Sequence, residues 1–190
     1  ACDRAMAAAL SSSPDWAGAL ARARAHSPFL SRALERLPAI EALLEEGQIE
    51  EALLAAKAAG EDIDDTGVAL RRERLALALA LAVGDLAGGL ELDRVMRELS
   101  TFADRALHAA IAASIARRVP GAAPDGMIGL ALGKHGAGEL NYSSDIDPIL
   151  IYDPDTLPRR ERDEPGEAAQ RYARETVRIL SETTPEGYVF

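Results

Sequence analysis

Cysteine is nearly absent: the 190 residues hold one, Cys2. No internal disulfide can form, and the chain suits a reducing cytoplasm. The three histidines, His26, His108 and His135, are scattered and form no zinc-ligand pattern. Excess basic charge is missing too. The 21 Lys and Arg stand against 31 Asp and Glu, a net charge of −10. Nucleic-acid backbones are held by basic patches, so no nucleic-acid partner is expected. Long apolar runs are also lacking. The longest, LALALALAV from Leu75 to Val83, falls far short of the roughly 20 residues of a membrane helix. The first residues carry alanines behind the acidic Asp3 and show no signal-peptide design. The chain does not open on methionine, as expected of a processed chain or a fragment.

What is present suffices for a sizeable core. Hydrophobic residues make up 48% of the chain, and the length allows one or two domains. Residues 1 to 13 are small and polar and are expected to be mobile. Ser13-Pro14-Asp15 reads as a helix start with serine as the cap. Ser27-Pro28 and Leu37-Pro38 start two further short helices. Gly47 closes the second of these, and a fourth helix runs from Ile49 towards Gly60. Asp64, Asp65 and Thr66 can cap a long helix through LALALALAV. That run alternates leucine with alanine, but both are strong helix formers, and the helix would be buried on most sides. Arg71, Arg72 and Arg74 precede it, read here as a solvated helix end rather than a basic patch facing the carboxylates downstream.

Gly84 to Gly89 breaks the pattern. From Leu92 through Leu99, Phe102, Leu107, Ile111 and Ile115 one apolar stripe predicts another long helix. His108 borders that stripe and reads as a packing residue. The Pro/Gly segment Val119 to Asp125 sets a boundary: residues 1–120 read as a helical domain and 121–190 as a second unit. A helix is expected from Glu167 to Leu180. Tyr188, Val189 and Phe190 read as the start of a third strand.

The chemistry concentrates in GKHGAGELNYSSDIDPILIYD, from Gly133 to Asp153. Short apolar runs flank its glycines, Met127 to Leu132 before and Ile146 with Ile149 to Tyr152 after, and both read as buried strands. In a strand, Asp145 and Asp147 share a face. Two like charges that close repel, unless a cation or water lies between them. Hard divalent ions such as magnesium take carboxylates together with substrate phosphates. Gly133, Gly136 and Gly138 allow a tight turn whose backbone N–H groups approach a phosphate, and Ser143 and Ser144 add hydroxyls. A D-x-D triplet alone usually lies on a solvated loop. Glycine turn, serines and D-x-D between two apolar runs together form a layout for a nucleotide phosphate and a divalent ion.

This stretch resembles the nucleotidyltransferase signature of the DNA polymerase β superfamily. More closely, it is similar to the motif of bacterial glutamine synthetase adenylyltransferases, typically GKLGGRELNYSSDIDLIFLYD. The wording from Glu139 to Asp147 is similar to the N-terminal, AMP-removing copy of the two domains in those enzymes. SPFLSRALERLPAIEALLEEG, from Ser27 to Gly47, resembles their amino-terminal SPFLxRxLxRxP wording.

The resemblance implies an α+β fold: an N-terminal all-helical bundle, then a truncated polymerase β-like nucleotidyltransferase core with a mixed sheet and helices. It implies an enzyme that removes AMP from a tyrosine of glutamine synthetase by phosphorolysis, giving ADP, with the ATP-dependent adenylylating half lying elsewhere. Asp145 and Asp147 would be the catalytic carboxylates and Mg2+ ligands. Gly133, Gly136, Ala137, Ser143 and Ser144 would surround the phosphates. Lys134 is either their charge partner or a solvated turn residue. The implied partners are glutamine synthetase, ATP or ADP, phosphate and a small trimeric nitrogen-regulatory protein.

In the family the wording that matches GYVF continues into a strand with a third carboxylate, so the chain as given is expected to be an inactive fragment. Three departures stand out. Ala137 replaces a usual glycine, which is unstrained only at negative φ. His135 replaces leucine, where a local polar contact is expected. Pro148 replaces leucine and belongs at a sheet edge or bulge. A related uridylyltransferase, or a non-catalytic helical module with a vestigial site, are the competing readings.

Overall fold

The computed structural model describes residues 13–190. The expectation of mobility over residues 1 to 13 falls almost wholly outside them. Among the described residues, six helices fill the chain up to Arg118: α1 (Trp16–His26), α2 (Pro28–Arg36), α3 (Pro38–Glu45), α4 (Ile49–Ala58), α5 (Thr66–Ala87) and α6 (Leu92–Arg118). Then follow β1 (Met127–Leu130), the one-turn helix α7 (Gly133–Gly136), β2 (Ile149–Tyr152) and α8 (Pro165–Ser181). The fold class is α+β. No described helix is long and apolar enough to cross a membrane.

Local chemistry sets the helix ends. Ser27 caps α2, accepting from the Leu30 N–H, with Pro28 in the first turn. Pro38 likewise opens α3. Asp65 accepts from the Val68 N–H at the start of α5. The cap of α1 is Asp15, not the expected Ser13; its carboxylate accepts from the Gly18 N–H at 2.9 Å. LALALALAV is helical; Leu77, Leu79, Leu81 and most of its alanines are buried, and Leu75 is half-buried.

Contacts divide the chain into two units, one reaching to Lys57 and including Ala76–Leu92, the other comprising Ala58–Leu75 and Asp93–Phe190. Packing thus partitions the chain differently from the composition boundary at residue 120. The first unit buries Leu20, Leu34, Leu44, Leu53, Leu79 and Val83. Here Gly84 does not break α5. It lies inside the helix because a Cβ there would come within 3.0 Å of the Leu90 and Ile49 side chains. The turn comes at Gly88, with φ +74°. The N–H of Asp15 and the Arg22 guanidinium then take the free carbonyls of Ala87 and Leu86 at the C-terminus of α5.

In the second unit, α6 supplies the expected stripe, with Val95, Leu99, Phe102, Leu107, Ile111 and Ile115 buried. His108, expected to pack, is exposed. The solvated reading of the arginines holds for Arg72 alone. Arg71 is buried, with its guanidinium on the carbonyls of Glu182 and Ile179, and Arg74 donates to the Tyr142 carbonyl. Both hold backbone carbonyls far away in sequence, a role that a charge pattern alone cannot reveal.

Both strands form, β2 starting at Ile149 rather than at the expected Ile146, as an antiparallel pair with Ile128 opposite Ile151 and Leu130 opposite Ile149. The mixed sheet of the resemblance is, among the described residues, this two-stranded ladder. The strands are not buried as expected. Ile128 is 63% exposed and Ile151 46%. One face of the ladder, through Gly129, meets Leu107 of α6, while Ile128, Leu130, Ile149 and Ile151 point the other way. The third strand expected at Tyr188 to Phe190 does not form. The N–H groups of Val189 and Phe190 both bond to the Leu180 carbonyl and so cap α8 instead of joining a ladder.

Candidate functional site

The segment between β1 and β2 starts with a tight turn. Gly133 has φ +55°, a left-handed conformation that favours glycine. A Cβ on Gly136 would lie 2.6 Å from the backbone oxygen of Ala131. Gly136→Ala is therefore expected to destabilise the chain by about 1–3 kcal/mol, the usual cost of overpacking, because the obstruction is backbone that cannot rotate away. Urea unfolding checks this. Ala137 needs no glycine: it sits at φ −83°, so alanine is unstrained there.

His135 is 5% exposed, and its Nε2 lies 2.9 Å from the Asp104 carboxylate on α6. The polar contact expected of it exists, but its partner lies 31 residues away rather than nearby. After the turn, Leu140 is buried and its N–H donates to the Ser100 hydroxyl. Asn141 then organises the serines. Its side-chain oxygen accepts from the Ser143 N–H and from the Ser144 hydroxyl, each at 3.0 Å, and its own N–H donates to the Ser144 oxygen. This is an Asx turn, and N-x-S wording was the signal that could have exposed it. Ser144 is thus built into the turn, while the Ser143 hydroxyl makes no hydrogen bond to another described residue.

From Asn141 to Leu150 exposed and half-buried residues alternate. Asp145 and Asp147 accordingly share the exposed side, as an extended chain requires. They precede β2 rather than lie within it, since the ladder begins at Ile149, just after Pro148, which has no N–H to donate. Neither carboxylate has a hydrogen bond or ion pair to another described residue, and the Lys134 ammonium has none either. Asp153, at the far end of the same stretch, differs. The Asp155 N–H and the Thr156 hydroxyl bond its carboxylate, and they hold its pKa below the usual carboxylate range. That acid closes a turn and is spent there.

Gly133, Lys134, His135, Asn141, Ser143, Ser144, Asp145 and Asp147 line one cleft of about 420 Å³. Gly136 and Ala137 form the turn behind it without lining it. A second, mostly apolar cavity of about 540 Å³ shares Asp145 and Asp147 and extends past Ile149 to Val177 and Phe190. No group of three or more His, Cys, Asp or Glu converges among the described residues, so any cation here would have two protein carboxylates and take its remaining ligands from elsewhere. Two unpaired carboxylates on one exposed face suit a hard cation that also binds substrate oxygens.

The family model described as glutamate-ammonia ligase adenylyltransferase matches residues 6–190. The chain belongs to this family. The adenylyltransferase family includes a bifunctional glutamine synthetase adenylyltransferase/adenylyl-removing enzyme of Caulobacter vibrioides, 41% identical over 91% of this chain and 19% of its own length. The protein of the same name in Rhizobium meliloti is 39% identical over 90% of this chain and 20% of its own. The one in Nitrosococcus oceani is 40% identical over 65% of this chain and 14% of its own. The chain thus spans about one fifth of the length of the Caulobacter and Rhizobium relatives.

Proposed function

We propose that this chain is the AMP-removing portion of a bifunctional glutamine synthetase adenylyltransferase, with residues 121–190 opening its nucleotidyltransferase core. The observation that carries this reading is the cleft of about 420 Å³, where the side chains of Lys134, Ser143, Asp145 and Asp147 converge without a hydrogen bond or ion pair to another described residue. Free donors and acceptors of both signs around one hollow suit a phosphorylated ligand with a counter-cation better than they suit a solvated loop.

In this reading, inorganic phosphate attacks the α-phosphorus of adenylyl-tyrosine on glutamine synthetase. The bond from phosphorus to the tyrosyl oxygen breaks, and ADP and free tyrosine result. Asp145 and Asp147 would hold Mg2+, which when bound neutralises phosphoryl charge and aligns the attacking and leaving oxygens. Lys134 offers its ammonium to the phosphates at the rim. Ser143 donates its hydroxyl to a phosphoryl oxygen, and Ser144 keeps the Asx turn in shape. Gly133 lets the backbone pass close to the ligand, and Gly136 leaves room for the Ala131 carbonyl in the turn behind the cleft. The working partners are then glutamine synthetase, phosphate, ADP or ATP and a trimeric nitrogen-regulatory protein.

Titration of the chain with ADP, ATP and UTP, each with magnesium, tests the nucleotide class. ADP or ATP is expected to bind more tightly than UTP. Preferential UTP binding favours a uridylyltransferase instead, and no magnesium-dependent binding of any nucleotide favours a vestigial site.

A further inference from the structure

We propose that Arg74 on α5 and Asp104 on α6 are positioning residues that hold the two sides of the cleft in register; this rests on the phosphate-and-cation reading of that cleft. The functional side chains all stand on an irregular segment between β1 and β2. Loops place groups less accurately than helices unless their own geometry is locked by supporting contacts. Here the locks come from the long helices. Asp104 takes His135 at 2.9 Å, inside the glycine turn and next to Lys134. Arg74 donates through Nη2 to the Tyr142 carbonyl at 2.8 Å, one residue before Ser143 and three before Asp145. Between them the Ser100 hydroxyl, itself donating to the Met96 carbonyl, accepts from Leu140. The Arg105–Glu73 ion pair ties α5 to α6 beside these anchors.

Both anchors are charged groups bonded to buried or half-buried partners, where such bonds are strong and directional. Arg74 is a costly choice for packing alone. Burial pulls its guanidinium below the ordinary arginine range, and its Nε is buried without a partner. An uncompensated buried donor is destabilising, and an apolar side chain would fill the same space without that cost. A requirement to fix the carbonyl just before the serines and aspartates accounts for the guanidinium. Asp104 shows the complementary economy. Its side chain is 71% exposed, so it contributes little packing, yet it holds a histidine that is almost wholly buried.

The test uses the 190-residue chain with Mn2+ as a paramagnetic probe and ADP, read by water-proton relaxation, alongside thermal unfolding. Asp104→Ala and Arg74→Met are expected to weaken Mn2+–ADP binding about tenfold, the usual scale for removing a supporting contact. Asp104→Asn keeps an acceptor for His135 and is expected to bind within about twofold of the unaltered chain. Asp104→Asn should melt with the unaltered chain, and binding by both Asp104 variants is compared at a temperature where thermal unfolding shows them folded, which separates positioning from a general loss of stability. If Arg74→Met does not fold, the Asp104 pair decides. Asp104→Ala binding as tightly as the unaltered chain overturns the inference. If the unaltered chain shows no Mn2+–ADP binding sensitive to Asp145→Asn and Asp147→Asn, the functional reading fails first and this inference with it.

Discussion

Asparagine at both 145 and 147 is expected to reduce phosphate-dependent ADP release from adenylylated glutamine synthetase about 10³-fold. The assay is made in the Caulobacter relative, with this chain replacing its own matching segment. The magnitude follows from the charge the two carboxylates would place beside the reacting phosphoryl group. Losing a cation there forfeits several kcal/mol of transition-state stabilisation, and about 4 kcal/mol corresponds to three powers of ten. The fold should not notice. Both side chains are exposed and have no partner among the described residues, so substitution should change stability by less than about 0.5 kcal/mol, and it removes a like-charge repulsion. ATP-dependent adenylylation by the same chimera is the internal control. A loss below tenfold contradicts the roles given to the two aspartates.

Leu79→Ala is expected to destabilise the chain by about 2–5 kcal/mol in urea unfolding, the range for a fully buried leucine. Leu79 is 0% exposed. Its companion, Ala80→Leu, separates a helix from a strand at LALALALAV. In a strand, leucines and alanines would face opposite sides, and the alanine side could be open. In α5 both kinds are buried: Leu77, Leu79 and Leu81 at 0%, and Ala76 and Ala80 also at 0%. Ala80→Leu should therefore overpack and cost about 1–3 kcal/mol. A neutral Ala80→Leu would contradict the burial of both faces.

Much of the helical part is legible in the sequence because its signals are local. Ser27-Pro28 caps and starts a helix within one turn, Asp65 caps the next long one, and the stripe of α6 repeats over its whole length. Local signals also mislead when packing overrides them. Gly84 reads as a breaker but makes room for Leu90 and Ile49 inside a continuous helix. Ser13 reads as the cap of α1, yet the Asp15 carboxylate takes the Gly18 N–H and caps the helix instead.

The strands show a different limit. Alternation tells which residues share a face but not whether that face is covered, so Ile128 and Ile151 read as core while standing exposed. Tyr188 to Phe190 has strand-like residues, yet its N–H groups find the Leu180 carbonyl first. In the candidate site, the glycines, serines and aspartates lie within 15 residues of one another and can be read as a constellation. Asp104, Ser100 and Arg74 lie 31, 40 and 68 residues from the groups they hold, and no local pattern announces them. The arginines before LALALALAV read as a solvated end for the same reason: their partners are carbonyls distant in sequence.

The most direct measurement follows the products formed from adenylylated glutamine synthetase by that chimera with its native carboxylates. The account predicts ADP, formed in step with unmodified tyrosine and only when phosphate is supplied, because phosphate is the attacking group. Release of AMP instead, or ADP formation independent of phosphate, would contradict it.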